Sequence, residues 1–187
     1  MTNSNTYTPE SVLAVFAHPD DIEFGCAGTI ARWVKEGARG AYVLITSGDV
    51  GIAKPGMTKE MAAEIREGET IEAAKVVGID DVTFFRVGDG MVENTMELRK
   101  RVVREIRRFQ PEVVVCGDPT MLFTPRGGIN HPDHRAAAGV ALDAVFPGAG
   151  QPNLFEELEE EGLNAHKVRK VYVSTWGEGS TYVNISD

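Results

Sequence analysis

A chain of 187 residues, 42% apolar and 25% charged, is long enough for one domain with a sizeable core and has an ordinary globular composition. Its formal charge of −9 excludes non-specific binding to nucleic acid or to an anionic membrane surface, because both partners are polyanions. No apolar run reaches membrane-spanning length and no basic stretch leads into an apolar one at the N-terminus, so a cytoplasmic protein is expected. Cys26 and Cys116 lack CxxC spacing and read as buried thiols.

Residues 1–8 are polar and expected to be flexible; residues 9–187 read as the single domain. Residues 11–16 form an apolar run, as expected for a central parallel strand covered on both faces. A helical pattern follows from about Phe24 to Lys35, with Gly37 as its stop, and Ala41 to Thr46 reads as a second strand ending in Ser47-Gly48-Asp49. Thr58 opens a helix that runs to about Val77, with Gly78 after its end. Residues 82–85 read as a short strand. Asn94 or Thr95 caps a basic amphipathic helix in which Leu98, Val102, Ile106 and Phe109 recur on one face, its Lys and Arg residues being ordinary surface. Pro111 ends it and residues 113–116 form another buried strand. Residues 150–168, with the acidic run Glu156 to Glu161, read as a solvated helical insertion, and 171–173 and 182–185 as two late strands. Strands alternating with helices predict a three-layer, Rossmann-like α/β domain with a mostly parallel sheet.

Two acidic, histidine-bearing segments stand out. Ala17-His18-Pro19-Asp20-Asp21-Ile22-Glu23 directly follows the first strand, and His131-Pro132-Asp133-His134 opens an alanine-rich helix. In an open α/β sheet, ligands bind beyond the carboxyl ends of the strands, so both segments are expected at one rim together with Asp118. Two imidazoles and a carboxylate make a ligand set for Zn²⁺ that leaves a position for water, and a spare carboxylate can accept that water's proton. Fe²⁺ suits the same set. The plainer alternative for either segment alone is helix capping by its aspartates and a hydrogen-bonded, inert histidine. Gly25-Cys26-Ala27-Gly28 does not follow GxGxxG, and two carboxylates beside it would repel a pyrophosphate; close packing of helix on sheet is the expected role.

At these residues the chain resembles the LmbE-like, or PIG-L, family of metal-dependent de-N-acetylases. The likeness runs through His18 to Glu23, Gly25 to Thr29, Thr46-Ser47-Gly48-Asp49, Arg66, Glu69, Ala73-Ala74, Val77-Gly78, Asp118-Pro119 and His131 to Arg135. The resemblance implies His18, Asp21 and His134 as metal ligands, Asp20 as catalytic base and His131, as imidazolium, facing the oxyanion. It implies Asp133 as a companion that orients an imidazole, and Asp49 and Arg66 as contacts to substrate hydroxyls. The implied reaction is hydrolysis of an acetamide on an N-acetylglucosamine-type sugar or conjugate. A thiol conjugate or other non-sugar amide would use the same ligands, and a silent binding protein keeping the fold is the rival of another class. Family members usually continue past the last strand with a helix and a further histidine-containing segment, so a C-terminal segment is expected to be missing after Asp187. The loop 120–130 is expected to act as a lid, and self-association is expected through the C-terminal third.

Overall fold

A computed structural model of the chain describes residues 7–186. At its centre is a five-stranded, all-parallel sheet in the order β3-β2-β1-β4-β5, built from β1 (Ser11–Phe16), β2 (Arg39–Thr46), β3 (Asp81–Val87), β4 (Val113–Cys116) and β5 (Lys170–Val173). Every residue of β1 is buried, because its alternating side chains enter two different cores. Leu13 and Val15 pack with Val43, Ile45 and Val114 under α4 (Met96–Phe109) and α5 (Pro132–Asp143). Val12, Ala14 and Phe16 pack with Tyr42, Leu44, Ile30 and Trp33 under α1 (Asp21–Gly25), α2 (Ala27–Lys35) and α3 (Lys59–Val77). This is the expected three-layer α/β fold.

The strand order reverses at β1. The chain leaves β1 toward the helices of one face, whereas it leaves β4 toward α5 on the other, so the two exits diverge and open a crevice between them. Alanines let α5 lie close over that crevice: Ala137, Ala138 and Ala141 are all buried, and a Cβ added at Gly117 would meet Ala138 Cβ at 3.8 Å.

Helix boundaries follow their caps. Thr58 accepts from Met61 N and Thr95 from Leu98 N, while Gly78 closes α3 at φ 86°. Two expectations are corrected. The first helical segment breaks at Cys26 (φ −153°, ψ 0°) into α1 and α2, because Cys26 N closes on Ile22 O and ends the first turn. Residues 182–185 form no strand: Arg32 donates to Asn184 O at 2.8 Å and Ile185 lies on α2, so this alternating segment is held by a helix instead of the sheet. Gly28 makes that approach possible, since a Cβ there would meet Ile185 Cδ1 at 2.8 Å.

The acidic run forms α6 (Glu156–Glu160), but it is docked as well as solvated. Lys100, Arg104 and Arg107, spaced along one face of α4, meet Glu157, Glu161 and Glu159. Leu158 and the Arg107 side chain are fully buried. A buried cation costs several kcal/mol unless its donors are matched; Arg107 Nη2 donates to the carbonyls of Gln151 at 2.8 Å and Leu154 at 2.9 Å, whereas its buried Nε has no partner among the described residues. Residues 1–6 of the segment expected to be flexible lie outside the described residues. Tyr7, in the same segment, donates to Glu112 at 2.6 Å, and its carbonyl accepts from Trp33 Nε1.

Candidate metal centre

The crevice beyond β1 and β4 holds a cavity of about 450 Å³, bordered by His18, Asp21, Arg66, Asp89, His131 and His134 among others. Residues separated by more than a hundred positions meet here. The His18 ring lies edge-on to His131 at 4.7 Å and to His134 at 5.1 Å, centroid to centroid.

Asp21 sits at the start of α1 and faces both histidines expected to share its role. Its Oδ2 accepts from His18 N at 2.8 Å and lies 3.5 Å from His18 Nδ1, while its Oδ1 lies 3.1 Å from His134 Nε2. Burial opposes ionisation of Asp21, but His134 and His18 hold it well below the usual carboxylate range. Burial likewise works against the His18 imidazolium, yet the Asp21 and Asp89 carboxylates raise it above its ordinary value.

The hydrogen-bond network on the far sides of these rings decides which nitrogens face inward. Asn130 Nδ2 donates to Met121 O at 2.9 Å, which leaves Asn130 Oδ1 as the acceptor 2.9 Å from His134 Nδ1. His134 therefore carries a proton on Nδ1, and its Nε2, a lone pair when the ring is neutral, points at Asp21 Oδ1. His18 Nε2 lies 3.3 Å from both Asp133 Oδ2 and Asp89 Oδ1, so its proton belongs there and Nδ1 faces Asp21. Two lone pairs and a carboxylate converging in this way require a cation between them, either a proton or a metal ion. The donor set fits a divalent ion of the zinc type.

Among the described residues a second set, His18, His131 and Asp133, also brings its ligand atoms within 4.8 Å of one another. Its carboxylate is already committed. Asp133, 1% exposed, accepts from Gly90 N at 2.7 Å and Val92 N at 3.2 Å besides facing His18. The set His18, Asp21 and His134 keeps its ligand atoms free for an ion.

Asp20 stands at the mouth with a half-exposed side chain and a left-handed backbone, φ 90°. An aspartate pays strain in that region, and such strain gathers at functional sites. Arg66 Nη2 fixes the turn by donating to Asp20 Oδ2 at 2.6 Å and to Pro19 O at 2.7 Å. Gly48 (φ 63°) lets the end of β2 pass close by, with Pro19 Cδ 3.4 Å from where its Cβ would be.

His131 caps α5, accepting from Asp133 N at 3.2 Å through Nδ1. A nitrogen that accepts carries no proton, so with this contact made the ring's N–H lies on Nε2. Burial, and then the neighbouring His18, hold its pKa below the ordinary histidine value. Asp49 stays out of the cavity wall: its Oδ1 accepts from Asp89 N at 2.8 Å, and its Oδ2 lies 3.6 Å from Lys59. Its link to the cavity is this contact with Asp89, which borders it.

Sequence reasoning missed Asp89 and Asn130. The signal available for Asp89 was its place in Gly88-Asp89-Gly90, just past β3. A register shift between Leu44 and Thr46, opposite Arg86 at φ 55°, bends the end of β3 and brings that loop within reach of His18. Asn130 had only its position beside His131.

Comparison with known proteins gives this geometry a family. A family model described as PIG-L, GlcNAc-PI de-N-acetylase, matches residues 13–145. The chain is 30% identical over 178 residues to a diacetylchitobiose deacetylase of Thermococcus kodakarensis, covering 95% of this chain and 64% of the relative. The structure of N,N'-diacetylchitobiose deacetylase from Pyrococcus horikoshii superposes with a TM-score of 0.87 at 27% identity, covering 95% of this chain and 65% of that one. GalB, a 4-carboxy-2-hydroxymuconate hydratase from Pseudomonas putida KT2440, superposes with a TM-score of 0.72 at 26% identity, covering 88% and 65%. The chain thus spans slightly less than two thirds of the length of each of these proteins. No helix among the described residues is long and apolar enough to cross a membrane. With the model matched from β1 to the end of α5, the chain belongs to the PIG-L family.

Proposed function

We propose that the chain is a metal-dependent N-deacetylase acting on an N-acetylglucosamine-type sugar or conjugate, with zinc as the first candidate ion and Fe²⁺ as the second. The convergence of His134 Nε2, Asp21 Oδ1 and His18 Nδ1 carries this reading, because these atoms need a cation between them and a divalent ion can take the place of the proton. Bound there, a divalent ion would supply Lewis acidity to the acetamide carbonyl and make a nearby water more acidic. Asp20 is the carboxylate free to take the proton of that water. Arg66 keeps Oδ2 of Asp20 engaged, which aims the other oxygen.

The His131 N–H on Nε2 is left to donate to the oxyanion that develops as water attacks. Such a donor contributes to rate because the charge it meets exists only in the transition state. It does so as a neutral imidazole, with α5 fixing the ring through its cap. Asp133 holds the His18 ring and the Gly90–Val92 backbone in one network, and Asp89, anchored by Asp49, flanks the same ring. The names of the two diacetylchitobiose deacetylases favour a sugar acetamide as the electrophile.

Acetate release from N-acetylglucosamine, diacetylchitobiose and an acylated thiol conjugate, each with zinc or Fe²⁺ added to chelated protein, tests the proposal. Turnover of a sugar acetamide that vanishes on chelation is expected. Metal uptake with turnover only of the non-sugar amide would reassign the substrate. Metal uptake with no amide turned over would leave the binding-protein alternative. Light scattering over a concentration series tests the accompanying proposal of a homo-oligomer, and cell fractionation that of a cytoplasmic location.

A further inference from the structure

Asn130 occupies an unusual place. It is 8% exposed, and its side-chain amide is spent in two directions. Nδ2 donates to Met121 O at 2.9 Å, and Oδ1 faces His134 Nδ1 at 2.9 Å. Its backbone N–H also donates to Leu122 O at 2.9 Å, and Arg135 donates to its carbonyl. Residues 121–130 leave the crevice and return to it as a flap closed by a Phe123–Ile129 bridge, so Asn130 is where the flap is tied to α5.

The orientation of this amide is not free. Met121 O can only accept, so the NH₂ must lie on that side and the oxygen on the histidine side. An oxygen there requires a proton on His134 Nδ1, so that whenever the ring is neutral its Nε2 lone pair faces Asp21 Oδ1. We infer that Asn130 is a positioning residue: it fixes the tautomer and ring angle of His134 for the ion and makes the flap's anchorage and that orientation depend on one side chain. The inference rests on the reading of His134 as a metal ligand. An outer partner of this kind typically contributes 10- to 100-fold to metal affinity.

Two substitutions separate the two halves of the amide. Asn130→Ala loses both contacts. Asn130→Asp keeps an acceptor for His134 Nδ1 and loses the donor to Met121 O. Zinc affinity, measured on the full chain by competition with a chromophoric chelator, is expected to fall roughly 10- to 100-fold in N130A and to return toward the parent value in N130D. Hydrogen exchange of residues 121–129 is expected to speed up in both. In the zinc-loaded parent, two-bond ¹H–¹⁵N spectra should show His134 protonated at Nδ1 and not at Nε2, a readout that needs no variant to fold.

Equal loss of zinc affinity in N130A and N130D would reduce Asn130 to a flap scaffold and overturn the inference. So would an N130A that binds zinc like the parent, or a His134 protonated at Nε2. A folded parent that takes up neither zinc nor Fe²⁺ would instead remove the ligand reading beneath it. His134→Ala in the same titration distinguishes the cases: it must lose zinc where the parent binds it.

Discussion

The rim of the sheet divides into two halves that meet at the crevice. Toward β1, β3 and α5, the exposed Phe24 apart, the side chains are polar and held by named partners. Asp133 is 1% exposed and holds two backbone amides and an imidazole; Asp21 faces two histidines; Asp20 is gripped by Arg66. Toward β4 and β5, the flap and the segment after Val173 present large apolar side chains to solvent: Phe123 is 64% exposed, Ile129 76% and Trp176 68%. The first half is preorganised, as the proposed activation of water would demand, because a group that meets developing charge gains most when it need not reorganise. The second has the apolar surface that a substrate or a second chain would cover. Substitutions in the tied half should therefore act on chemistry and folding, and those in the open half on binding alone.

The largest effect is expected at Asp20. Asp20→Asn keeps the shape and the αL turn but cannot accept a proton, and removal of a general base typically costs 10²- to 10⁴-fold in rate. Metal content should persist, since Asp20 lies outside the converging set. Metal analysis beside acetate release checks both halves of the expectation, and a variant that retains parental kcat would take the base role from Asp20.

Asp133 should matter next, through folding. Asp133→Ala leaves Val92 N without its acceptor in a buried place, at about 1–3 kcal/mol, and also releases Gly90 N at the exposed tip of its loop. Thermal unfolding should register this as a fall of several degrees or more, larger than for any substitution in the flap. An unchanged Tm would mean that the Gly90 loop finds other partners and that the tied half is less rigid than its hydrogen bonds indicate.

The metal-free protein offers a third test with a definite sign. Asp21 is depressed below its unfolded pKa, so its contribution is present above about pH 4 and is lost as the pH falls through its lower folded value. His18 is raised above its unfolded pKa, so its contribution is full below about pH 6.5 and fades as the pH rises through the folded value. The difference in Tm between chelated parent and Asp21→Asn should therefore be greatest between about pH 4 and pH 6.5 and shrink toward pH 8. With zinc restored, the trend should reverse, because metal binding displaces these protons. A chelated difference that grows from pH 6 to pH 8 would contradict the pairing of Asp21 with the histidines.

The same division explains what could be read from the sequence. β1, the caps at Thr58 and Thr95 and the two histidine segments are local patterns, so composition and spacing reveal them. That His18 and His131 would share one rim follows from the alternation of strands and helices, whereas the reversal of strand order at β1 that sets them side by side comes from the structure. Asp89 and Asn130 were not legible, because neither contact leaves a periodicity behind: Asp89 reaches His18 from another strand's loop, and Asn130 faces a ring one turn away through an amide whose direction Met121 dictates. The segment 182–185 misled for the opposite reason. Its alternation suits an edge strand, but Gly28 opens a place on α2 where Ile185 sits instead.

The smallest effect on folding is expected at Trp176, and it is the sharpest test of the open half. This indole borders the cavity yet is 68% exposed, so Trp176→Ala removes little that is buried in the free protein, and the stability should stay within about 0.5 kcal/mol. If a sugar ring lies against it in the complex, the loss of that face should raise KM roughly two- to tenfold, the range that aromatic stacking spans. kcat should hold, because a contact made equally in ground and transition states affects binding without affecting the chemical step. Steady-state kinetics on the substrate found to release acetate, together with a melting curve, measure all three quantities. A fall in kcat at constant KM would place Trp176 with the tied half, and a drop of several degrees in Tm would show that the indole supports the fold; either result would redraw the line between the two halves of the rim.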